Sequence, residues 1–219
     1  MQLILIRHGQ MQGDPYCRPA HPVQGCLSPA GEAQAARLAQ ATAKWKIDEV
    51  HASPLGRAHQ TAQAIATPRN LPITLQPWIE EWKPATQTGE CADPRDLAIR
   101  EAQSAKRRPE HAWKTPAGEG TFEMAHRVIV PLLEFLRERG LDAAHGGFHI
   151  APEAIDRRIA IVAHGGSLSM VAAFILGFPL RPYGPFSFGL TGVGVIDFVQ
   201  RAEVWYPHIV IQPLLPEPV

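Results

Sequence analysis

Apolar and polar positions follow one another along the chain in blocks that predict strands and helices in alternation. Residues 3–6 form a continuous apolar run with β-branched members, which is typical of a strand buried on both faces. Residues 159–163 have the same composition and predict a second buried strand. Shorter strands are predicted at 48–52 and 72–75, and the end of the chain predicts a hairpin that pairs 193–199 with 202–211.

Helical patterns lie between these strands. Ser28 suits an N-cap and Pro29 the first helical position, so a helix is expected from there to about residue 43. Gly177 and Pro179 end another helix that follows Gly166. The remaining helices are predicted at 55–66, at 119–139 and around 93–107. The helix at 119–139 has its apolar positions at Phe122, Val128, Ile129, Leu132, Leu133 and Leu136.

The alternation of strands and helices predicts an α/β fold, a three-layer α/β/α sandwich around a central, mostly parallel sheet. Two segments do not fit a minimal sheet. Residues 77–120 are rich in proline and tryptophan and are expected to form a covering insertion. Residues 141–156 are expected to form a loop insertion.

Composition narrows the classes of partner. Of the 219 residues, 21 are Lys or Arg and 21 are Asp or Glu, so the balance of charge gives no support for a nucleic-acid or membrane partner. No apolar run approaches the roughly 20 residues that span a bilayer. Arg7 interrupts the first apolar run, which argues against a signal peptide. We expect a cytoplasmic protein in which Cys17, Cys26 and Cys91 are free thiols.

Candidate chemistry lies where the two buried strands end. Arg7, His8 and Gly9 follow the first strand, and His164 and Gly165 follow the strand at 159–163. Ligand sites of parallel sheets lie at the carboxyl ends of the strands. A histidine there is a nucleophile, a metal ligand, a general base or a packed residue. An arginine beside it disfavours a metal ion and suits phosphate oxygens, which the guanidinium fork binds in pairs.

Arg57 is a third candidate. It follows the strand at 48–52 and lies in the first turn of the next helix, where the helix dipole disfavours a cation. An anion bound above it would explain this placement. An ordinary surface arginine is the alternative.

Four segments, in order, resemble motifs of the histidine phosphatase superfamily, which has a phosphoglycerate-mutase-like fold. Arg7-His8-Gly9 resembles the R-H-G signature at the end of the first strand. Residues 27–35, L-S-P-A-G-E-A-Q-A, are similar to the family's L-T/S-x-x-G-x-x-Q-A helix start. Residues 53–62 are similar to S-x-L-x-R-A-x-Q-T-A, the most specific match, and residues 163–166 resemble the strand end that carries the second histidine. The resemblance covers residues 1 to about 176 and implies a single histidine-phosphatase-like domain over 1–219.

The resemblance implies a metal-independent phosphomonoesterase, a phosphoric monoester hydrolase of the histidine acid phosphatase type. His8 would form a phosphohistidine, and Arg7, Arg57, His164 and Gly165 would bind the phosphoryl oxygens. No metal and no other cofactor is expected. The expected partner is a small phosphorylated metabolite, with no nucleic acid and no membrane; the oligomeric state stays open, with a homodimer as one option.

The resemblance also implies a general acid, usually in an L-x-E context after the third strand. Aligning Ile79 with the leucine of that motif selects Glu81, and Glu80 is the alternative. The family commonly continues with G-x-x-E-G, whereas this chain continues K-P-A-T-Q-T-G-E over residues 83–90.

Three other functions are considered. Mutases of the family carry the start R-H-G-x-S-x-W-N, but this chain has Gln10 to Asp14 after Gly9, which favours hydrolysis. A serine hydrolase is suggested by Ser167 after His164 but lacks the G-x-S-x-G elbow. A module that binds phospholigands without catalysis is the third alternative, because of the departure after Glu81.

Overall fold

The computed structural model describes residues 1–12, 27–83, 102, 112–144, 146–180 and 186–212. The predicted strands and helices at 3–6, 28–43, 48–52, 55–66, 72–75, 119–139, 159–163 and 166–176 are all present, with bounds that differ by at most two residues. In chain order the elements are β1 (Gln2–Arg7), α1 (Pro29–Ala41), β2 (Glu49–Ala52), α2 (Gly56–Ala66), β3 (Ile73–Leu75), β4 (Lys114–Thr115), β5 (Gly118–Glu119), α3 (Thr121–Arg137), β6 (Leu141–Ala144), β7 (Gly147–Ile150), β8 (Arg158–Ala163), α4 (Gly165–Ile175), β9 (Val193–Arg201) and β10 (Val204–Gln212).

Eight strands form one sheet in the order β3-β2-β8-β1-β9-β10-β7-β6. The first four are mutually parallel, and each later strand is antiparallel to its neighbour. The strands β10 and β6 run in the same direction as these four, so six of the eight strands share one direction. The predicted α/β fold with a mostly parallel sheet is therefore confirmed, and β9 and β10 form the predicted hairpin.

The sheet is buried on both faces because alternate residues of a strand point to opposite sides. Leu3 and Leu5 of β1 join the cluster that α3 and α4 cover, and Ile4 and Ile6 join the cluster that α1 and α2 cover. All four side chains are at most 1% exposed. A continuous apolar run, rather than an alternating one, is what a strand between two helical layers requires.

The helix α3 packs along one apolar stripe. Val128, Leu132 and Leu136 of the predicted set are buried, whereas Phe122 is 44% exposed. Phe122 lies in the first turn and off this stripe. Met124, two residues later, is fully buried. Of the apolar positions named from the sequence, Phe122 therefore lies outside the buried face.

Residues 141–156 are not the loop that the sequence analysis predicts. They contain the antiparallel hairpin of β6 and β7, which extends the sheet beyond β10 through the pairing of Phe148 with Trp205. Phe148 packs edge-on against Phe198, with ring centroids 5.4 Å apart. The strands have four residues each, and two glycines and two histidines in or between them conceal the alternation that identifies longer strands.

Other predictions fall partly or wholly outside the described residues. The three cysteines lie there, as does nearly all of the predicted helix around 93–107. Of the covering insertion at 77–120, the structure describes 77–83, 102 and 112–120, including the small β4–β5 sheet. In the described part of the chain, none of the helices combines the length and the apolar character that crossing a membrane requires.

Candidate active site

The carboxyl ends of β1 and β8 bring two histidines together. The strands are parallel neighbours, and the His8 N–H donates to the carbonyl of Ala163 at 3.0 Å. His164 follows directly, so the two imidazole rings lie side by side with centroids 5.0 Å apart. Both residues are buried, His8 at 6% exposure and His164 at 0%.

The hydrogen bonds of His8 fix its tautomer. Nδ1 lies 2.7 Å from the carbonyl oxygen of Gly9, which accepts and cannot donate, so Nδ1 carries the proton. Nε2 therefore keeps its lone pair, and it accepts a hydrogen bond from Nε of Arg57 at 3.2 Å. Burial, reinforced by the positive charges of Arg57 and Arg7, lowers the pKa of His8 to about 3 even though the bond to Gly9 raises it. His8 is thus a neutral imidazole with an available electron pair on Nε2.

Arg57 is a buried cation at the start of a helix. It is 8% exposed and lies in the first turn of α2, whose N-cap residue, Leu55, makes no side-chain capping bond. The alternative that Arg57 is an ordinary surface arginine is therefore wrong. Positive charge and the helix dipole add at this point, an arrangement that favours a bound anion.

Arg7 approaches the site from the other side. Its Nη1 donates to the carbonyl of Phe188 at 2.7 Å, and its guanidinium lies over Gly165, where an added Cβ would be 3.6 Å from Cζ. Nε of Arg7 is buried, and none of the described residues provides a hydrogen-bond partner for it. A donor in this situation is suited to an anionic oxygen.

His164 is the N-cap residue of α4. Its Nε2 lies 2.8 Å from Oγ of Ser53, which is fully buried at the end of β2 and also accepts from the Leu55 N–H at 3.3 Å. The first residue of the S-x-L-x-R motif thus anchors the ring of the second histidine. Ser53 is the serine of that motif, but the pattern alone assigns it no role.

Glu81 reaches the same helix terminus. Its Oε2 accepts from the N–H of Gly166 at 3.2 Å, and its Oε1 accepts from the N–H of Trp82 at 2.9 Å. A Cβ at position 166 would lie 2.4 Å from Oε1, so the second glycine after His164 makes room for the carboxylate. Glu80 instead forms an ion pair with Lys83, 3.5 Å apart. The structure therefore brings Glu81, and not Glu80, to the start of α4.

Two motif side chains hold the backbone that follows His8. Oγ1 of Thr61 accepts from the Gly9 N–H at 3.0 Å, and Oε1 of Gln34 accepts from the Gln10 N–H at 2.8 Å. These bonds connect the end of β1 to α2 and α1. The Q and T of the quoted motifs therefore support the His8 loop through its backbone, a role that the motif pattern alone does not reveal.

Glycine is required where this loop crosses α1. A Cβ on Gly31 would lie 2.0 Å from the carbonyl oxygen of Gln10, and one on Gly9 would lie 2.8 Å from the carbonyl oxygen of Gly31. Both contacts are with backbone atoms, which cannot rotate away. The glycines of the first two motifs are thus one structural feature, a close crossing of the two chain segments.

The charges collected at these strand ends suit a bound anion. Arg7, Arg57 and the amino end of α4 are positive, and His8 is neutral between them. Glu81 is the carboxylate at its edge. Among the described residues, no group of three or more His, Cys, Asp or Glu side chains is arranged to hold a metal ion.

The fold and the site together define a class of protein: an α/β sandwich that holds a neutral histidine between arginines at the ends of its strands. A family model described as "Histidine phosphatase superfamily (branch 1)" matches residues 3–206. The chain belongs to the histidine phosphatase superfamily.

Individual relatives agree with this membership. The glucosyl-3-phosphoglycerate phosphatase of Mycolicibacterium vanbaalenii is 28% identical over 204 residues, which cover 92% of this chain and 84% of the relative. A protein of Erwinia tasmaniensis named probable phosphoglycerate mutase GpmB is 28% identical over 82% of this chain and 76% of its own. The native structure of a mycobacterial glucosyl-3-phosphoglycerate phosphatase superposes with a TM-score of 0.70 at 22% identity, covering 96% of this chain and 97% of that one, which shows the shared fold.

Proposed function

We propose that this protein is a metal-independent phosphomonoesterase that hydrolyses a small phosphorylated metabolite through a phosphohistidine at His8. The observation that carries the proposal is the lone pair of His8 Nε2, held neutral by burial and directed toward the guanidinium of Arg57. Phosphatases among the relatives support the reaction class.

The first step is an in-line displacement at phosphorus. Nε2 of His8 attacks, the N–P bond forms, and the P–O bond to the leaving alcohol breaks. The carboxyl group of Glu81 gives its proton to the departing oxygen, so that an alcohol and not an alkoxide leaves. The hydrogen bond from Nδ1 to the Gly9 carbonyl keeps the ring oriented and stabilises the positive charge that the ring gains.

The second step returns the enzyme to its starting state. The Glu81 carboxylate takes a proton from a water molecule, the water oxygen attacks phosphorus, and the N–P bond breaks to release inorganic phosphate. His8 recovers its electron pair, and Glu81 recovers its proton. Both steps use the same two residues in opposite senses.

The surrounding donors stabilise charge on the phosphoryl oxygens. Arg57, which donates to Nε2 in the structure, donates to a phosphoryl oxygen once phosphorus occupies that position. Arg7, with its buried Nε, and the N–H of Gly165 serve the other oxygens together with His164. Fixed cations and backbone donors of this kind need no reorganisation as charge moves, which is how such sites lower the barrier.

The proposal is tested by measuring the release of inorganic phosphate from a panel of phosphate monoesters without added metal. Wild-type protein should release phosphate, and His8→Ala should not. His59→Ala is the matched control, because His59 lies on α2 and makes none of the site contacts described above. Hydrolysis that persists in His8→Ala would contradict the proposal.

A mutase is the second candidate, since a protein named as a probable phosphoglycerate mutase is among the relatives. A mutase returns the phosphoryl group to an acceptor hydroxyl, so it moves phosphate between positions without releasing it. Phosphorus NMR of a reaction with a phosphoglycerate distinguishes the two. A shifted ester signal identifies a mutase, a rising inorganic phosphate signal identifies a phosphatase, and binding without either change identifies a non-catalytic module.

A further inference from the structure

One side chain of α3 holds the whole segment that leads to Glu81. Nη1 of Arg127 donates to the carbonyls of Trp78 and Glu80, at 3.0 and 3.2 Å. Nη2 donates to the carbonyl of Glu81 at 3.3 Å and to Oε2 of Glu119 at 2.8 Å, and Nε donates to Oε1 of Glu119 at 2.7 Å. A guanidinium has five N–H donors, and these five contacts use all of them.

Glu119 continues the attachment on the other side of Glu81. Its Oε2 accepts from the Lys83 N–H at 2.9 Å, its own N–H donates to the Lys83 carbonyl at 2.9 Å, and its carbonyl accepts from the indole N–H of Trp82 at 2.7 Å. The Glu119 side chain is only 5% exposed. The backbone is therefore fixed immediately before and immediately after Glu81.

We propose that Arg127, together with Glu119, is a positioning residue for Glu81 as the general acid, an inference that rests on the proposed function. In the described structure the hydrogen bonds of Arg127 go to the 78–81 segment and Glu119, and not to the start of α4. Arg127 would act by fixing the backbone from which the Glu81 carboxyl extends to Gly166. A proton donor works only within hydrogen-bond reach of the leaving oxygen. A displacement of about 1 Å at a catalytic group costs about a hundredfold in rate.

Arginine is needed here for its shape as well as its charge. A lysine at position 127 would keep the positive charge beside Glu119 but offers three donors on one nitrogen, which cannot serve three carbonyls and both carboxylate oxygens. Arg127→Lys therefore loosens the Glu81 segment without leaving a buried carboxylate uncompensated. It is the informative variant, since the protein is expected to fold.

Arg139 provides a matched control. Its side chain is 17% exposed, against 18% for Arg127, and it also forms an ion pair, with Nε 2.8 Å from Oε2 of Glu49. It packs over the ring of Phe135 and ties the end of α3 to β2. It makes no hydrogen bond to the 78–81 segment in the described structure. Arg139→Lys should therefore perturb α3 without disturbing the acid.

The experiment compares two leaving groups. In Arg127→Lys, kcat/KM for an alkyl phosphate should fall about 10- to 100-fold, and for p-nitrophenyl phosphate less than about threefold, because nitrophenolate leaves without a proton. Arg139→Lys should affect both esters alike. In the double variant with Glu81→Gln, alkyl phosphate turnover should be no lower than in Glu81→Gln alone, since the two residues act through one proton transfer.

The outcomes separate this inference from the function beneath it. The positioning role is wrong if Arg127→Lys lowers kcat/KM equally for both esters, or if its effect and that of Glu81→Gln multiply in the double variant. Neither result contradicts the proposed phosphatase function. If Glu81→Gln itself shows no preference between leaving groups, Glu81 is not the acid and the positioning role falls with it. Phosphohistidine formation from p-nitrophenyl phosphate within about threefold of the wild-type rate shows that the Arg127→Lys site is folded.

Discussion

The protonation of His8 is decided by its surroundings before any substrate arrives. Its ring is buried and lies between Arg57 and Arg7, so desolvation and like charge both oppose the imidazolium form and lower its pKa to about 3. Nε2 consequently keeps its electron pair throughout the pH range in which proteins work. The arginines that would bind the phosphoryl oxygens thus also keep the ring of His8 neutral.

This lowered pKa makes a stability prediction. In the unfolded chain His8 titrates near its ordinary pKa of 6.5. Below that pH the unfolded state therefore binds a proton at His8 that the folded state does not bind. The free energy of unfolding should therefore fall as the pH drops from about 6.5 toward 3, by up to about 1.4 kcal/mol per pH unit from this one residue.

Urea unfolding of the wild type and of His8→Asn at several pH values between 7.5 and 4 measures the difference. The asparagine variant should lose stability less steeply over this window. Burial also lowers the pKa of His51, which adds a similar slope to both proteins and cancels in the comparison. Identical slopes in the two proteins would mean that His8 is protonated in the folded state.

The acid assignment gives a second prediction at this scale. Glu81→Gln keeps an oxygen acceptor for the Gly166 N–H but removes the proton, so kcat/KM for an alkyl phosphate should fall about 10²–10⁴-fold and kcat/KM for p-nitrophenyl phosphate much less. The ratio kcat/KM reports the steps up to departure of the alcohol, so it does not include the later hydrolysis of the phosphohistidine, in which Glu81 would also act. Steady-state kinetics on both esters measures it. Glu80→Gln is the control, because Glu80 pairs with Lys83, and it should change neither rate appreciably. Selective loss in the Glu80 variant would move the acid there.

At the scale of elements, the site depends on how tightly α1 crosses the segment after β1. The backbones of Gly31 and Gln10 approach so closely that only glycine fits, and Thr61 and Gln34 hold the same segment by hydrogen bonds. The orientation of His8 is therefore controlled by two helices as well as by its own strand.

Adding a methyl group at Gly31 tests whether this close crossing of the two backbones is required. Gly31→Ala places Cβ against the Gln10 carbonyl and should cost about 1–3 kcal/mol of unfolding free energy, with a fall in kcat as the His8 loop shifts. Gly189→Ala is the matched control, since a Cβ there has no atom within 4 Å and should leave stability nearly unchanged. Chemical denaturation and phosphate release measure both effects. Wild-type behaviour of Gly31→Ala would show that the segments can separate without consequence.

The elements that sequence analysis identifies are those with a strong local signal. β1 and β8 are uninterrupted apolar runs, and Ser28 with Pro29 marks the start of α1, where Oγ accepts from the Gly31 N–H. The β6–β7 hairpin has no such signal, because each strand is short and is stabilised by pairing with β10.

The candidate site likewise contains residues that local sequence motifs reveal and contacts that they do not. Arg7, His8, Arg57 and His164 belong to short motifs next to predicted strand ends, and their convergence follows from the parallel order of β1, β2 and β8. The support from Arg127 spans 46 residues to Glu81, and no periodicity or spacing connects the two in sequence. Such contacts require the folded arrangement of α3 over the segment.

For the whole molecule, positive and negative charges balance, while the candidate site has an excess of positive charge. The chain carries 21 basic and 21 acidic residues, and Arg7, Arg57 and the amino end of α4 lie together at the site. A small anion is thereby favoured at the site without a general attraction to polyanions.

Under the proposed function catalysis needs no added metal, since cationic side chains and backbone N–H groups would stabilise the charge on the phosphoryl oxygens. Phosphate release should be the same before and after treatment with EDTA and gel filtration. Activity that is lost on chelation and restored by zinc or magnesium would mean that a metal ion takes the role assigned to the arginines.

The most direct test of the account is the detection of the phosphohistidine itself. Protein mixed with p-nitrophenyl phosphate and quenched in alkali should carry one acid-labile phosphate, located on His8 by mass spectrometry of peptides kept at high pH. His59→Ala should carry it as the wild type does, and His8→Ala should carry none. Phosphate found on another residue, or rapid turnover with no trapped intermediate and with activity retained in His8→Ala, would contradict the account.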